Sequence, residues 1–269
     1  MTTKNSAKRT KEDSSQTLRK LHQAPRTIVA WAEDYPSGHI IAMHQHERAQ
    51  LLFAAAGMMT VTTADGVWVV PPLRAVWIPA QTDHQIICSG KVLMRTLYIK
   101  QEGLVHPAES CSVVSVPPLL RELILYAVDM PRLYDVNGPD GRIEQVIIDC
   151  MQKLEVAPLD LPIPEDERLK AIQQALSDDP EDQRTLSDWA DFAGMTSRTL
   201  ARHIKAETNL TFGQWRQQIR LLEALRRLGR REPVTKVALE LGYDSPSAFI
   251  AMFKKALGST PGQYFRNVD

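Results

Sequence analysis

The chain has few cysteines, and none of the three, Cys88, Cys111 and Cys150, lies in a CxxC spacing. An odd, scattered set excludes a disulfide framework and suits reduced thiols in a cytoplasm. Long apolar runs are also missing. The longest stretch without Asp, Glu, Lys or Arg is Ala49–Ala64, 16 residues that include Gln50 and three threonines. A membrane-spanning helix needs about 18, so no membrane partner is expected. No apolar core follows the charges of MTTKNSAKRTKEDSSQ, so no secretory signal is expected either. Nothing resembles a phosphate loop, a nucleophile elbow or a paired-carboxylate site, and a catalytic role is not expected. At 43% hydrophobic and 24% charged, the chain is too apolar for disorder. Its 269 residues suggest about two domains.

Net charge is absent overall, but the average conceals a gradient. Residues 1–26 hold seven basic and two acidic side chains, a net +5. Residues 27–183 hold 11 basic and 22 acidic, a net −11, and residues 184–269 hold 14 and 8, a net +6. An acidic middle and a basic last third divide the chain into two jobs, the basic part suited to phosphates.

Residues 1–26 are polar and basic and are expected to form a disordered tail. From 27 to 116 short apolar runs alternate with turn residues, among them TIVAWA, QLLFAAA, MTVTT, VWVV and VLMRTLYI. Ala64-Asp65-Gly66 separates two of them as a hairpin turn would. Many short strands without intervening helices predict a β sandwich or barrel. Helical spacing begins after Pro117-Pro118. Leu119, Leu120, Leu123, Ile124, Ala127 and Val128 form one stripe; Ile143, Val146, Ile147, Cys150, Met151 and Leu154 form another. Residues 117–157 therefore form a helical segment suited to covering the sheet or pairing with a second subunit. Residues 158–166 are proline-rich and read as a linker.

The last third contains an internal repeat. Ala190 and Gly194 recur 48 residues on as Ala238 and Gly242. Leu200, Ile204 and Lys205 recur 49 residues on as Phe249, Phe253 and Lys254. Each copy offers a small residue where two helices cross, a glycine where the first must end, and apolar residues at i and i+4 on the next. A helix-turn-helix requires that combination. Thr185 to Asp188 makes a capping box, Thr196 is an N-cap, and Ser245-Pro246 supplies an N-cap and an N1 proline. Between the copies, Phe212, Trp215, Ile219, Leu222 and Leu225 keep helical spacing to Gly229. The two motifs are placed at 186–207 and 234–257, within a domain at 167–266.

Residues 185–265 closely resemble the AraC/XylS family of bacterial transcription regulators, from TLSDWADFAGMTSRTLARHIKAETNLTFGQWRQQIRLLEAL through VALELGYDSPSAFIAMFKKALGSTPGQYFR. GHIIAMHQHERAQLLFAAAG and WVVPPLRAVWIPAQTDH resemble the cupin sensor domain found upstream in one branch of that family. The resemblance implies an α+β, two-domain chain, with a cupin barrel at 27–116 and an all-α tandem helix-turn-helix domain. It implies a cytoplasmic regulator that binds double-stranded promoter DNA and a small-molecule effector, with a homodimer expected and RNA polymerase a candidate partner. The alternative is a cupin metalloenzyme with an appended DNA-binding module.

On the first motif's second helix, Leu200 and Ile204 face the core, leaving Ser197, Arg198, Ala201, Arg202 and Lys205 outward. Arginine binds guanine O6 and N7 bidentately, so Arg198 and Arg202 are the leading base readers. The family resemblance places base contacts at Arg198, Ala201 and Arg202, and Ala201 departs from the long polar side chain often found there. On the second motif, Ser247, Ile250 and Ala251 face outward with Lys254, and Ile250 offers an apolar contact to a thymine methyl. Ser197, Lys205, Arg220, Lys254 and Lys255 are read as backbone-phosphate contacts.

In the β region, His44 and His46 lie two apart and share a face. With Gln50 and His84 they occupy the positions that cupin enzymes fill with three His and one Glu around a metal. Gln50 replaces the carboxylate, and Gln81 stands where the second cupin motif prefers Gly. The set is open to three readings: the polar lining of an effector pocket, a divalent-metal site on His44, His46 and His84, or satisfied barrel histidines. No other cofactor is expected. His22, His39, His106 and His203 show no mutual spacing that suggests a site.

Overall fold

The computed structural model describes residues 22–72, 74–100, 110–157 and 159–266. The greater part of the expected tail, residues 1–21, and His106 lie outside the described residues. The end of that segment is folded. Arg48, buried at 2% exposure, donates from its guanidinium to the backbone carbonyls of His22, Ala24, Arg26 and Thr27, fastening residues 22–27 across the sheet.

Among the described residues nine strands form one antiparallel sheet: β1 (Ile28–Tyr35), β2 (Ile40–His44), β3 (Ala49–Thr62), β4 (Gly66–Val70), β5 (Arg74–Ile78), β6 (His84–Ile99), β7 (Ser112–Ser115), β8 (Val156–Ala157) and β9 (Asp160–Pro162). The main order is β1-β6-β3-β5-β7-β8, with β2 on β6, and β4 joining β3 to β9. Among the described residues the pairing is open, ending at β1 and β8. The hairpin read at Ala64–Gly66 joins β3 to β4, where Thr63 donates to the Gly66 carbonyl at 3.0 Å.

Alternation along β3 sorts the core. Ala49, Leu51 and Phe53 face one way and pack with Trp77, Leu97 and Ile99 under the two helices α1 (Pro118–Ala127) and α2 (Pro139–Met151). Gln50 and Leu52 face the other way. The helices bury Leu120, Leu123 and Ile124, and Ile147 and Met151, as their stripes predict. Leu119, at the edge of its stripe, is 59% exposed, and Val146 is also exposed.

The segment read as a linker enters the sheet instead. Asp160–Pro162 pairs with Gly66–Trp68, Ile163 donates to the Asp65 carbonyl at 3.1 Å, and Leu159 is fully buried. Its prolines exclude helix but allow an edge strand, because such a strand leaves one row of amides unpaired.

Seven helices follow: α3 (Glu167–Asp178), α4 (Leu186–Phe192), α5 (Ser197–Thr208), α6 (Phe212–Gly229), α7 (Val234–Glu240), α8 (Pro246–Leu257) and α9 (Pro261–Arg266). One cluster of buried side chains runs from Met58, Trp68 and Ile86 of the sheet to Ile219, Leu222 and Leu225 of α6. The two regions thus share a core. Among the described residues no helix is long and apolar enough to cross a membrane.

Candidate nucleic-acid interface and effector pocket

The two helix-turn-helix units, α4–α5 and α7–α8, are built by the same local chemistry. In the first, Gly194 has φ +65° and Met195 donates to the Ala190 carbonyl at 2.8 Å. In the second, Gly242 has φ +73° and Tyr243 donates to the Ala238 carbonyl at 3.1 Å. These are the six-to-one bonds of a left-handed helix terminus, which glycine adopts without Cβ strain. Ala190 and Ala238 are both buried at the helix crossings. Start signals hold as read. Thr185 and Asp188 form the capping box, Thr196 caps α5 and Ser245 caps α8 ahead of Pro246. Helix α6, 18 residues long, spans about 27 Å between the units.

Leu200 and Ile204 of α5, and Phe249 and Phe253 of α8, are fully buried. Arg198 and Arg202 are exposed and have no side-chain partner among the described residues. Ser197 and Ala201 are half-buried, and Ser247 and Ala251 are exposed. Lys254 and Lys255 are exposed in the last turn of α8. The Lys205 ammonium donates to the Asn209 carbonyl at 2.7 Å and so closes the end of its own helix.

Two expectations need correcting. Arg220 was read as a phosphate contact, but it is buried, donating to the carbonyls of Pro180 at 2.7 Å and Asp182 at 3.0 Å. Its charge ties α6 to the turn before α4, and burial pushes its pKa down. Ile250 was read as an outward residue without packing, yet it is half-buried against the core. A helical-wheel angle cannot reveal which neighbouring element closes over a side chain.

In the sheet, His44, His46 and His84 converge, with one ring nitrogen of each lying within 4.8 Å of the others. His44 and His84 face one another across the β2–β6 register. His84 Nδ1 meets the Thr82 carbonyl at 2.8 Å, and His44 Nδ1 meets the Ala42 carbonyl at 2.8 Å. Each Nδ1 therefore donates to a carbonyl, and in the His84 ring that leaves Nε2 with its lone pair. Among the described residues, His84 Nε2 is buried without a partner. His46 Nε2 lies 3.0 Å from the Gln50 amide oxygen, and Gln50 in turn donates to Thr96 Oγ1 at 2.9 Å. Burial pushes His84 down to about 4, so its ring is neutral at pH 7, and burial lowers His46 too. Gln81 has φ +60°, a conformation that favours glycine, and its backbone amide donates to the His46 carbonyl at 2.9 Å.

Three residues of this pocket escaped the sequence reading. His22 stacks on His46 at 5.5 Å between centroids, and burial pushes it down to about 4. Tyr98 sits edge-on to both rings, and Thr96 holds Gln50. Tyr98 and Thr96 share a face of β6, but only the pairing of Gln50 with Tyr98 brings that face to the histidines. His203 lies near Asp166, at the start of α3, and near Glu207 on its own helix α5.

Paired helix-turn-helix units on one bridging helix, joined to an acidic sheet domain, define a DNA-binding transcription regulator. Family comparison agrees: the helix-turn-helix domain family matches residues 189–267. The HTH-type transcriptional regulator NimR of Escherichia coli is 37% identical over 222 residues, covering 82% of this chain and 81% of that protein. RipA of Corynebacterium glutamicum, also an HTH-type transcriptional regulator, is 29% identical over 103 residues, 38% of this chain and 31% of its own length. Among solved structures, ToxT from Vibrio cholerae aligns with a TM-score of 0.38 at 9% identity, over 89% of this chain and 98% of that one. The chain belongs to the AraC/XylS family of transcription regulators.

Proposed function

We propose that the chain is a one-component regulator whose N-terminal sheet is a cupin-type barrel that receives a small polar effector at His44, His46, Gln50 and His84. The observation that carries this reading is the buried, unpartnered Nε2 of His84 beside two further imidazoles. A desolvated acceptor without a donor costs about 1–3 kcal/mol, which a ligand donor removes on binding. A divalent metal is the second reading, favoured by three imidazoles with converging nitrogens. His44, His46 and His84 would hold it, with Gln50 offering a neutral oxygen, and the ion would supply a fixed positive charge. Replacing His44 and His46 by alanine is expected to abolish the transcriptional response to the effector in cells. Operator affinity in vitro should stay within a few-fold. Equal loss of both would assign these rings to folding, and loss of the response on EDTA treatment would favour the metal.

On the DNA side, Arg198 and Arg202 read base edges, with Ala201 beside them on α5 and Ser247 and Ala251 on α8. Ser197, Lys205, Lys254 and Lys255 meet phosphates. Arg202 is exposed and unpaired, and it can reach guanine bidentately, whereas Ala251 in the second unit has no donor. Changing Arg202 to alanine should cost about 1–3 kcal/mol on the cognate operator and flatten preference at one base pair. Changing Lys254 to alanine should weaken cognate and random duplex alike and reduce the salt slope by about one. Competition over operators randomised one position at a time checks both variants. If Arg202→Ala lowers affinity without relaxing preference anywhere, Arg202 is a phosphate contact.

Self-association fits α1 and α2. Leu119, Tyr126, Leu133, Val136 and Val146 are 40–65% exposed on and between these helices, and an apolar grouping of that kind marks an interface. A homodimer through this face would present two reading domains to one operator.

A further inference from the structure

The face of the sheet that carries the histidines also carries a carboxylate with no assigned role. Strand β6 pairs with β1 along residues 92–99 and with β2 along residues 84–87. The His46 ring lies 5.1 Å from both Tyr98 and His84, so the two halves of β6 border one concave space. In the β1–β6 ladder Val29 stands opposite Tyr98, Trp31 opposite Thr96 and Glu33 opposite Met94. Opposed residues share a face, and so do alternate ones, which puts Trp31, Glu33 and Tyr35 on the side of Tyr98. We infer that the effector is an organic cation bearing N–H donors, of the ammonium or amidinium class, and that Glu33 selects it. The inference rests on the barrel reading given above.

The first observation is how Glu33 is held. Trp31 Nε1 and the Tyr35 hydroxyl donate to the same carboxylate oxygen, Oε2, at 3.2 and 2.8 Å. Tyr35 is itself stacked on His39, just before β2, at 4.5 Å between centroids. The carboxylate is thus fixed from two sides, while its Oε1 has no hydrogen-bond partner among the described residues.

The second is charge. Among the described residues no Lys or Arg pairs with Glu33. Arg95 lies on the opposite face, where it pairs with Asp34 at 3.0 Å. Arg48 spends its guanidinium on four backbone carbonyls. Burial pushes His22 and His84 down to about 4, so at pH 7 neither supplies a counter-charge. Glu33 is half-buried, and its field reaches into the interior: burial first, and then Glu33, push the Tyr98 phenol up.

The third is polarity. Oε1 of Glu33 and Nε2 of His84 are both acceptors awaiting a donor. A carboxylate or phosphate ligand would bring only further acceptors and set its charge against Glu33. A cation with N–H groups supplies what is missing, and a charge-assisted hydrogen bond is roughly twice as strong as a neutral one.

The test is calorimetric titration of the full chain, in buffer containing EDTA, with benzamidine, benzamide and benzoate. These share a ring and a shape and differ in charge. Benzamidine is expected to bind saturably, and the neutral and anionic analogues roughly tenfold or more weakly. Glu33→Gln keeps the side-chain shape and an oxygen for Trp31 and Tyr35, and should raise the benzamidine Kd by roughly tenfold or more. Asp34→Asn, the neighbouring carboxylate on the opposite face, should leave that Kd unchanged. Thermal melts report folding, and if Glu33→Gln unfolds, the preference of the parent chain among the three probes decides. Absence of benzamidine binding, equal affinity for benzamide or benzoate, or binding that a folded Glu33→Gln leaves intact would overturn the inference. The barrel reading is judged separately, by whether the His44→Ala/His46→Ala variant keeps its response in cells.

Discussion

Truncating Phe249 to alanine is expected to destabilise the protein by about 3–5 kcal/mol. The ring is fully buried in α8 and forms the second link of an aromatic chain. Tyr243 meets it edge-on at 5.4 Å, Phe253 tilts against it at 5.9 Å, and Tyr264 of α9 meets Phe253 at 5.7 Å. The chain of rings fastens the second motif's turn, its outward-reading helix and the last helix to one another. Removing the ring forfeits its transfer energy and leaves a cavity that three elements would have to collapse into. Domains have only about 5–15 kcal/mol in hand, so the second unit would be unfolded a measurable part of the time. Urea denaturation of the full chain checks this through the midpoint at constant slope. A loss below about 1 kcal/mol, typical of an exposed position, would show that the rings do not hold the helix.

The second large effect separates two glycines that the repeat makes equivalent. Gly194→Ala should cost about 1–2 kcal/mol, the strain of a left-handed alanine, because a Cβ there meets nothing within 4 Å. Gly242→Ala should cost about 3 kcal/mol or more, because overpacking adds to the same strain. Its Cβ would lie 2.7 Å from Gln183 Nε2 and 2.9 Å from the Glu181 backbone. Backbone cannot step aside as a side-chain tip can. The 180–183 turn would have to move, and its carbonyls are the ones that hold buried Arg220. Melting curves for the two variants compare them directly, and equal losses would remove the Glu181 contact from the account.

These cases show what could be read from the sequence and what could not. Helix starts and stops were legible at Thr185, Thr196, Ser245, Gly194 and Gly242, because capping is decided within four or five residues. His44 and His46 were legible as a pair because a strand's period is two. Arg220 was misread because its partners lie about 40 residues away and helical spacing says nothing of them. Thr96, Tyr98 and His22 were invisible for a related reason. They join the pocket through strand register and through the fastening of residues 22–27 by Arg48, neither of which leaves a local pattern. The proline-rich stretch after Ala157 was read as a tether because proline signals the absence of helix without signalling an edge strand.

That edge strand bears on how such a chain can be taken apart. Asp160–Pro162 pairs with β4, its Asp160 carbonyl accepts from Gln218 of α6 at 2.9 Å, and just past the strand Glu207 of α5 accepts the amides of Glu165 and Asp166 at 2.7 and 3.1 Å. Sensor and reader are therefore not interchangeable parts on a string. A chimera cut at this point would strand β9 without β4 and uncover the side of α6 that the sheet seats. A graft that keeps the junction intact has to carry the β3–β4 hairpin along with the reading domain, so the natural unit of exchange is larger than the DNA-binding fold itself.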